Sequence, residues 1–195
     1  MNFAVRVLFL AACLVAAQSP APPSAEQTAQ TDLAAVVKQQ FGGSFALKAK
    51  FPTPVIVADF DGDGVEDAAI VATSAEPFPD SFDFKYKVID PYNAYFGFGN
   101  PNLTAAFGTV DPSRNHDLLI IFGSGKEGWH AAVPKAKYVM INVPFDEIAV
   151  GRMLIKKAKP PIFVIRAREY QLMDSAVWWD AKKQRWRWQP GDTVP

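Results

Sequence analysis

The chain has 195 residues, with 20 Lys and Arg against 20 Asp and Glu, a formal charge of zero and a pI near 6.7. That length suits one domain, and the balanced charge argues against a dedicated nucleic-acid binder, which is normally basic. Hydrophobic residues at 49% exclude wholesale disorder, and 16 prolines disfavour long helices and a large parallel sheet.

Residues 1–17 read as a signal peptide. Arg6 supplies the positive start, and Val7 to Ala17 form an uncharged apolar run. That run is too short to span a bilayer as a helix, which takes ~20 residues. Val15, Ala16 and Ala17 offer a small-residue cleavage site. Leu10-Ala11-Ala12-Cys13 offers a second reading, a lipoprotein signal ending before Cys13, with lipidation of that thiol anchoring the chain to a membrane. Either reading makes the protein exported: periplasmic, cell-surface or secreted. Cys13 is the only cysteine, so cleavage after Ala17 leaves no disulfide, thiolate ligand or thiol nucleophile. Residues 18–24 form a Pro/Ala-rich tether, and residues 25–195 form a single globular domain.

Ser24 and Gln27 fit a capping box, and Leu33, Val36, Val37 and Phe41 fall on one helical face before Gly42-Gly43. This predicts an amphipathic helix over 25–41. Strand patterns follow: alternation from Phe45 to Lys50, the run Val55–Ala58 and the run Ala68–Ala72, the last two joined as a hairpin across an acidic turn. Residues 74–83 read as loop and Tyr86–Ile89 as a strand. Residues 90–112, rich in aromatics, Gly, Asn and Pro, pack on the core with room for one short helix. Further strands are predicted at Leu118–Phe122, Tyr138–Asn142, Val150–Lys156 and Ile162–Arg168. A last hairpin pairs Ala176–Trp179 with Arg185–Trp188. No internal repeat of fixed period is present. The fold class is α+β and β-rich, with mainly antiparallel strands and one N-terminal amphipathic helix.

The stretch Asp59-Phe60-Asp61-Gly62-Asp63-Gly64-Val65-Glu66-Asp67 carries the chemistry. Carboxylates stand at loop positions 1, 3, 5 and 9, with Gly at 6, as in the first three-quarters of an EF-hand calcium loop. Position 12 is Ile70, not the bidentate Glu of an EF-hand, and the flanks are strands rather than helices. Like charges ~4 Å apart repel by about 1 kcal/mol in water and about 4 at an effective dielectric of 20, so a turn this acidic favours a cation. Residues 57–71 resemble one FG-GAP/VCBS-type repeat, as in integrin α-subunit propellers and many exported bacterial proteins. The resemblance implies a calcium loop joining two strands. It implies Ca2+ held by the side chains of Asp59, Asp61, Asp63 and Asp67 and by the Val65 carbonyl. A propeller needs several blades and this chain holds one copy, so only the loop carries over. With its carboxylates used as ligands, the metal is structural, and Glu66 reads as a solvated turn residue.

Other features have plainer readings. Gly123-Ser124-Gly125-Lys126-Glu127-Gly128 lacks the spacing of a phosphate loop or a nucleophile elbow and reads as a flexible hairpin connection. His116 and His130 read as surface or turn residues. A Ser124–His130 dyad is the alternative that would make the chain a cell-envelope hydrolase. Trp178, Trp179, Trp186 and Trp188 read as core with at least one of them partly exposed, and a platform for a carbohydrate or peptide is the other alternative. The lysines at 156–159 and 182–183 read as solvated turns. No catalytic residue is assigned. The expected function is an exported calcium-binding module with a protein or glycan partner and no nucleic-acid partner.

Overall fold

A computed structural model describes residues 25–48, 51–74, 80–98, 116–155, 160–170 and 173–191, and for 25–29 the backbone alone. The signal-peptide and lipidation readings, the tether and the capping box lie outside these residues. So do the lysines at 156–159.

Helix α1 spans Ala25–Phe41. Leu33, Val37 and Phe41 recur every four residues, and all three are buried. Gly42 N–H closes the last turn on Lys38 O at 3.1 Å. Strands β1 (Phe45–Leu47) and β2 (Val55–Ala58) lie end to end along one edge of β3 (Asp67–Ser74). β2 and β3 form the expected hairpin, with Ala58 opposite Asp67. After β4 (Lys87–Ile89) comes the short helix α2 (Pro91–Tyr95), with Asp90 accepting from Asn93 N–H as its N-cap. Then follow β5 (Asp117–Phe122), β6 (Ala136–Met140), β7 (Glu147–Met153), β8 (Ile162–Glu169), β9 (Met173–Asp180) and β10 (Arg185–Pro190).

These strands form two sheets. The first runs β1-β3-β5-β6-β4, with β2 also on β3, and the second runs β10-β9-β8-β7. Pairing is antiparallel except for β4 on β6. β5 is buried along its whole length because both of its faces are covered. On one face Leu119 and Ile121 join Leu33, Val37 and Phe41 of α1. On the other, Leu118, Ile120 and Phe122 join Ile148, Ile165, Val177 and Trp179 of the second sheet. The result is three layers: α1, first sheet, second sheet. Each fully buried Ile, Leu or Phe contributes about 1.5–3 kcal/mol of transfer free energy, so the centre of the first sheet is the stable floor on which the loops rest. Among the described residues, no helix is long and apolar enough to cross a membrane.

β7 starts three residues earlier than the pattern Val150–Lys156 predicts, and Leu154 and Ile155 are exposed beyond its end. His116 is also not a surface residue. It is 4% exposed, with its ring packed on Phe145 at a centroid distance of 3.9 Å.

Candidate metal centre

The acidic turn joins β2 to β3 above the first sheet. Its shape follows from side chains binding their own backbone. Asp59 Oδ1 accepts from Gly62 N–H at 2.8 Å and Asp63 N–H at 3.0 Å, and Asp59 Oδ2 accepts from Gly64 N–H at 2.8 Å. Asp61 Oδ1 accepts from Asp63 N–H, and Asp63 Oδ1 accepts from Val65 N–H. Gly62 and Gly64 have φ of 80° and 88°, which a side chain would oppose.

Asp67 is the buried member, at 1% exposure. Its Oδ2 accepts from Phe60 N–H at 2.8 Å and Asp61 N–H at 3.3 Å, and its Oδ1 accepts from Gly123 N–H at 2.8 Å. One carboxylate thus ties both ends of its own turn to the end of β5. Gly123 permits the approach: a Cβ there would stand 2.2 Å from Glu66 O and 2.6 Å from Gly128 C. Burial pushes the Asp67 carboxyl up to about 7, with a further rise from Asp61 opposed by the three N–H donors.

Carboxylate oxygens of Asp59, Asp61 and Asp67 lie within 4.8 Å of one another, and this group can hold a metal ion. The donor set is all hard oxygen. A carboxylate offers about four lone-pair sites, and none of the three spends all of them on the bonds named here. Free lone pairs therefore remain for a cation. Asp63 stands outside the group of three. Its Oδ2 binds Lys135 Nζ at 2.5 Å, and the same ammonium binds Asp61 Oδ2 at 2.6 Å. That hydrogen bond holds the Asp63 carboxyl below its ordinary range, and both carboxylates raise Lys135 above its own. Val65 contributes its N–H to the turn, and Glu66 is exposed.

Gly123 and Lys135 are the participants that sequence reading missed. Lys135 is 74 residues from Asp61. It arrives because β3, β5 and β6 are neighbours, which no local pattern announces. The glycine loop connects β5 to β6, as expected of a hairpin connection, and makes its own local contacts. Ser124 bridges to Gly128 around a 3-10 turn at Gly125–Glu127, and Ser124 Oγ donates to Val133 O at 2.8 Å. His130 stacks on Trp129 at 3.6 Å, and no hydrogen bond joins it to Ser124 among the described residues. All four tryptophans of the last hairpin are buried, at 2–8% exposure, so none is the partly exposed one expected from the sequence. Trp179, Trp186 and Trp188 pack between the sheets, and Trp178 packs beneath Arg187 on the outer face.

No family model, curated protein or solved structure matches the chain.

Proposed function

We propose that the chain is an exported, calcium-binding β-rich module in which the metal is structural. The observation that supports this reading is the convergence of Asp59, Asp61 and Asp67 at the mouth of the β2–β3 hairpin. A hard dication suits an all-oxygen donor set, and calcium completes its six to eight ligands with backbone carbonyls and water. Asp63 joins once Lys135 yields to the metal, as the resemblance to an FG-GAP/VCBS-type loop implies. The metal's effect is mechanical: it clamps a turn that Asp67 already fastens to the end of β5. Export rests on the pattern of residues 1–17, and extracellular calcium suits a site of ~10⁻⁴–10⁻³ M affinity.

The hydrolase alternative draws no support from a Ser124 whose hydroxyl is bound to a carbonyl. The platform alternative draws none from Trp178, Trp179, Trp186 and Trp188, which are all buried. Calorimetric titration of calcium into the full chain tests the proposal. One site in the sub-millimolar to millimolar range, absent in Asp61→Ala, is expected. No heat in the wild type, or unchanged binding in Asp61→Ala, refutes it.

A further inference from the structure

β10 is an edge strand of the second sheet, and α2 packs against it. Tyr92, Tyr95 and Phe96 set their rings on Trp188, with centroids 4.9, 5.1 and 5.9 Å away. Trp188 is buried there, but Tyr95 and Phe96 are 51% and 50% exposed, with their rings 5.1 Å apart. Arg185 and Arg187 alternate with Trp186 and Trp188 along β10 and so face the other way. At the edge of the strand they line one shallow cavity together with Tyr95. The turn leading into β10 adds Lys182 and Lys183. Aromatic and basic side chains thus form one continuous surface.

Lys182, Lys183 and Arg185 are exposed, and among the described residues none of them is in an ion pair. Asp180 is the one carboxylate between residues 175 and 190, and Arg187 pairs with it at 3.4 Å. In a chain of zero formal charge, the hairpin therefore presents a local excess of cations. The acidic turn meets β10 through Phe60 on Trp186, on the face opposite Arg185. The cavity beside Tyr95 holds about 90 Å³, well under the ~300–1,000 Å³ that buries a small molecule. The feature is a docking surface and not a pocket. Lysine is depleted at protein–protein contacts. Aromatic rings flanked by lysine and arginine suit a membrane–water interface, where rings sit among headgroups and cations meet anionic lipid.

We propose that this surface docks on an anionic lipid bilayer, with Tyr95 and Phe96 in the headgroup layer and Lys182, Lys183 and Arg185 against lipid phosphates. The two rings gain by leaving water, and the cations set the preference for anionic lipid. The surface is built from α2 and the β9–β10 hairpin, so it does not depend on the metal loop.

The test is co-sedimentation of the full chain with vesicles of phosphatidylcholine alone and of phosphatidylcholine with ~30% phosphatidylglycerol. EDTA is present throughout, so that no calcium bridges protein and lipid. Each cation near an anionic surface is worth about fivefold in partitioning, so the anionic vesicles should bind the wild type about tenfold or more tightly than the neutral ones. That preference should vanish in ~1 M salt, where the Debye length is ~3 Å. Lys182→Glu with Lys183→Glu should lose most of it at low salt. Tyr95→Ser with Phe96→Ser should weaken binding to anionic vesicles severalfold. Residues 1–24 are common to every variant, so a difference between variants reports the hairpin and α2. The proposal is overturned if the wild type binds the two compositions alike or binds neither, or if the preference survives Lys182→Glu with Lys183→Glu. It is equally overturned if a folded Tyr95→Ser, Phe96→Ser protein binds as the wild type does. Should that aromatic variant fail to fold, the substitutions at the exposed Lys182 and Lys183 decide.

Discussion

Replacing Asp67 by alanine removes the acceptor of three backbone N–H groups: Phe60, Asp61 and Gly123. Two of these bonds, from Phe60 and Gly123, are buried and 2.8 Å long. A buried donor left without a partner costs about 1–3 kcal/mol, so the two together cost about 2–6 kcal/mol. Domains of this kind have about 5–15 kcal/mol in all. The measurement is best made at pH 5, with EDTA present. There the folded Asp67 carboxyl, raised to about 7, is protonated, and its burial carries no charge penalty. With an m-value of ~1–3 kcal/mol per molar urea, the unfolding midpoint should fall by about 1 M or more. Asp59→Ala is the comparison, since the N–H groups it releases are exposed and rebind water. Its loss should stay below about 1 kcal/mol. If Asp67→Ala costs no more than Asp59→Ala, Asp67 is no anchor, and the reasoning fails.

Lys135 and a metal ion compete for Asp61 Oδ2. Lys135→Gln should therefore tighten calcium binding severalfold, and weaker binding in a calcium titration would contradict this. Gly123→Ala should unfold the chain or cost several kcal/mol by urea denaturation, because its Cβ meets backbone at 2.2 Å; near-wild-type stability would contradict the packing. Asp117 is buried at the start of β5 and its carboxyl is raised by burial to about 6, opposed by the Ser74 hydroxyl. A raised carboxyl contributes stability that is fully present below its unfolded value near 4 and is lost as pH rises through 6. Because the raised Asp67 carboxyl adds the same slope to both proteins, the wild type should lose roughly 3 kcal/mol more across that window than Asp117→Asn. Equal pH slopes from urea unfolding of the two proteins would refute it.

Local chemistry was readable where one segment makes its own structure. Leu33, Val37 and Phe41 mark α1 by spacing alone, and the acidic run marks a turn because its side chains bind its own backbone. Reading failed where a partner decides. β7 is an edge strand with four of its seven residues exposed, so its apolar signal is weak, and the run Met153-Leu154-Ile155 pulls the expected strand toward its C-terminal side. Its true bounds come from β8, with Glu147 opposite Arg168 and Met153 opposite Ile162. His116 is polar enough to suggest a surface, yet Phe145 covers it. Gly123 reads as freedom but is fixed, since only its lack of a side chain lets Asp67 reach its N–H. The division of the strands into two sheets was not legible either, because alternation gives a strand its faces and not its neighbours.

The central claim is that a divalent cation on the β2–β3 turn supports this fold. Thermal unfolding of the full chain in EDTA, and again with ~5 mM calcium, tests it most directly. A site of ~10⁻⁴–10⁻³ M affinity adds about 1–2 kcal/mol by mass action. For a chain of this length that is a rise in midpoint of about 3–8 °C. The expected result is such a rise in the wild type and none in Asp61→Ala. Identical midpoints in EDTA and calcium would contradict it, and would leave Lys135 as the only counter-ion of the acidic turn among the described residues.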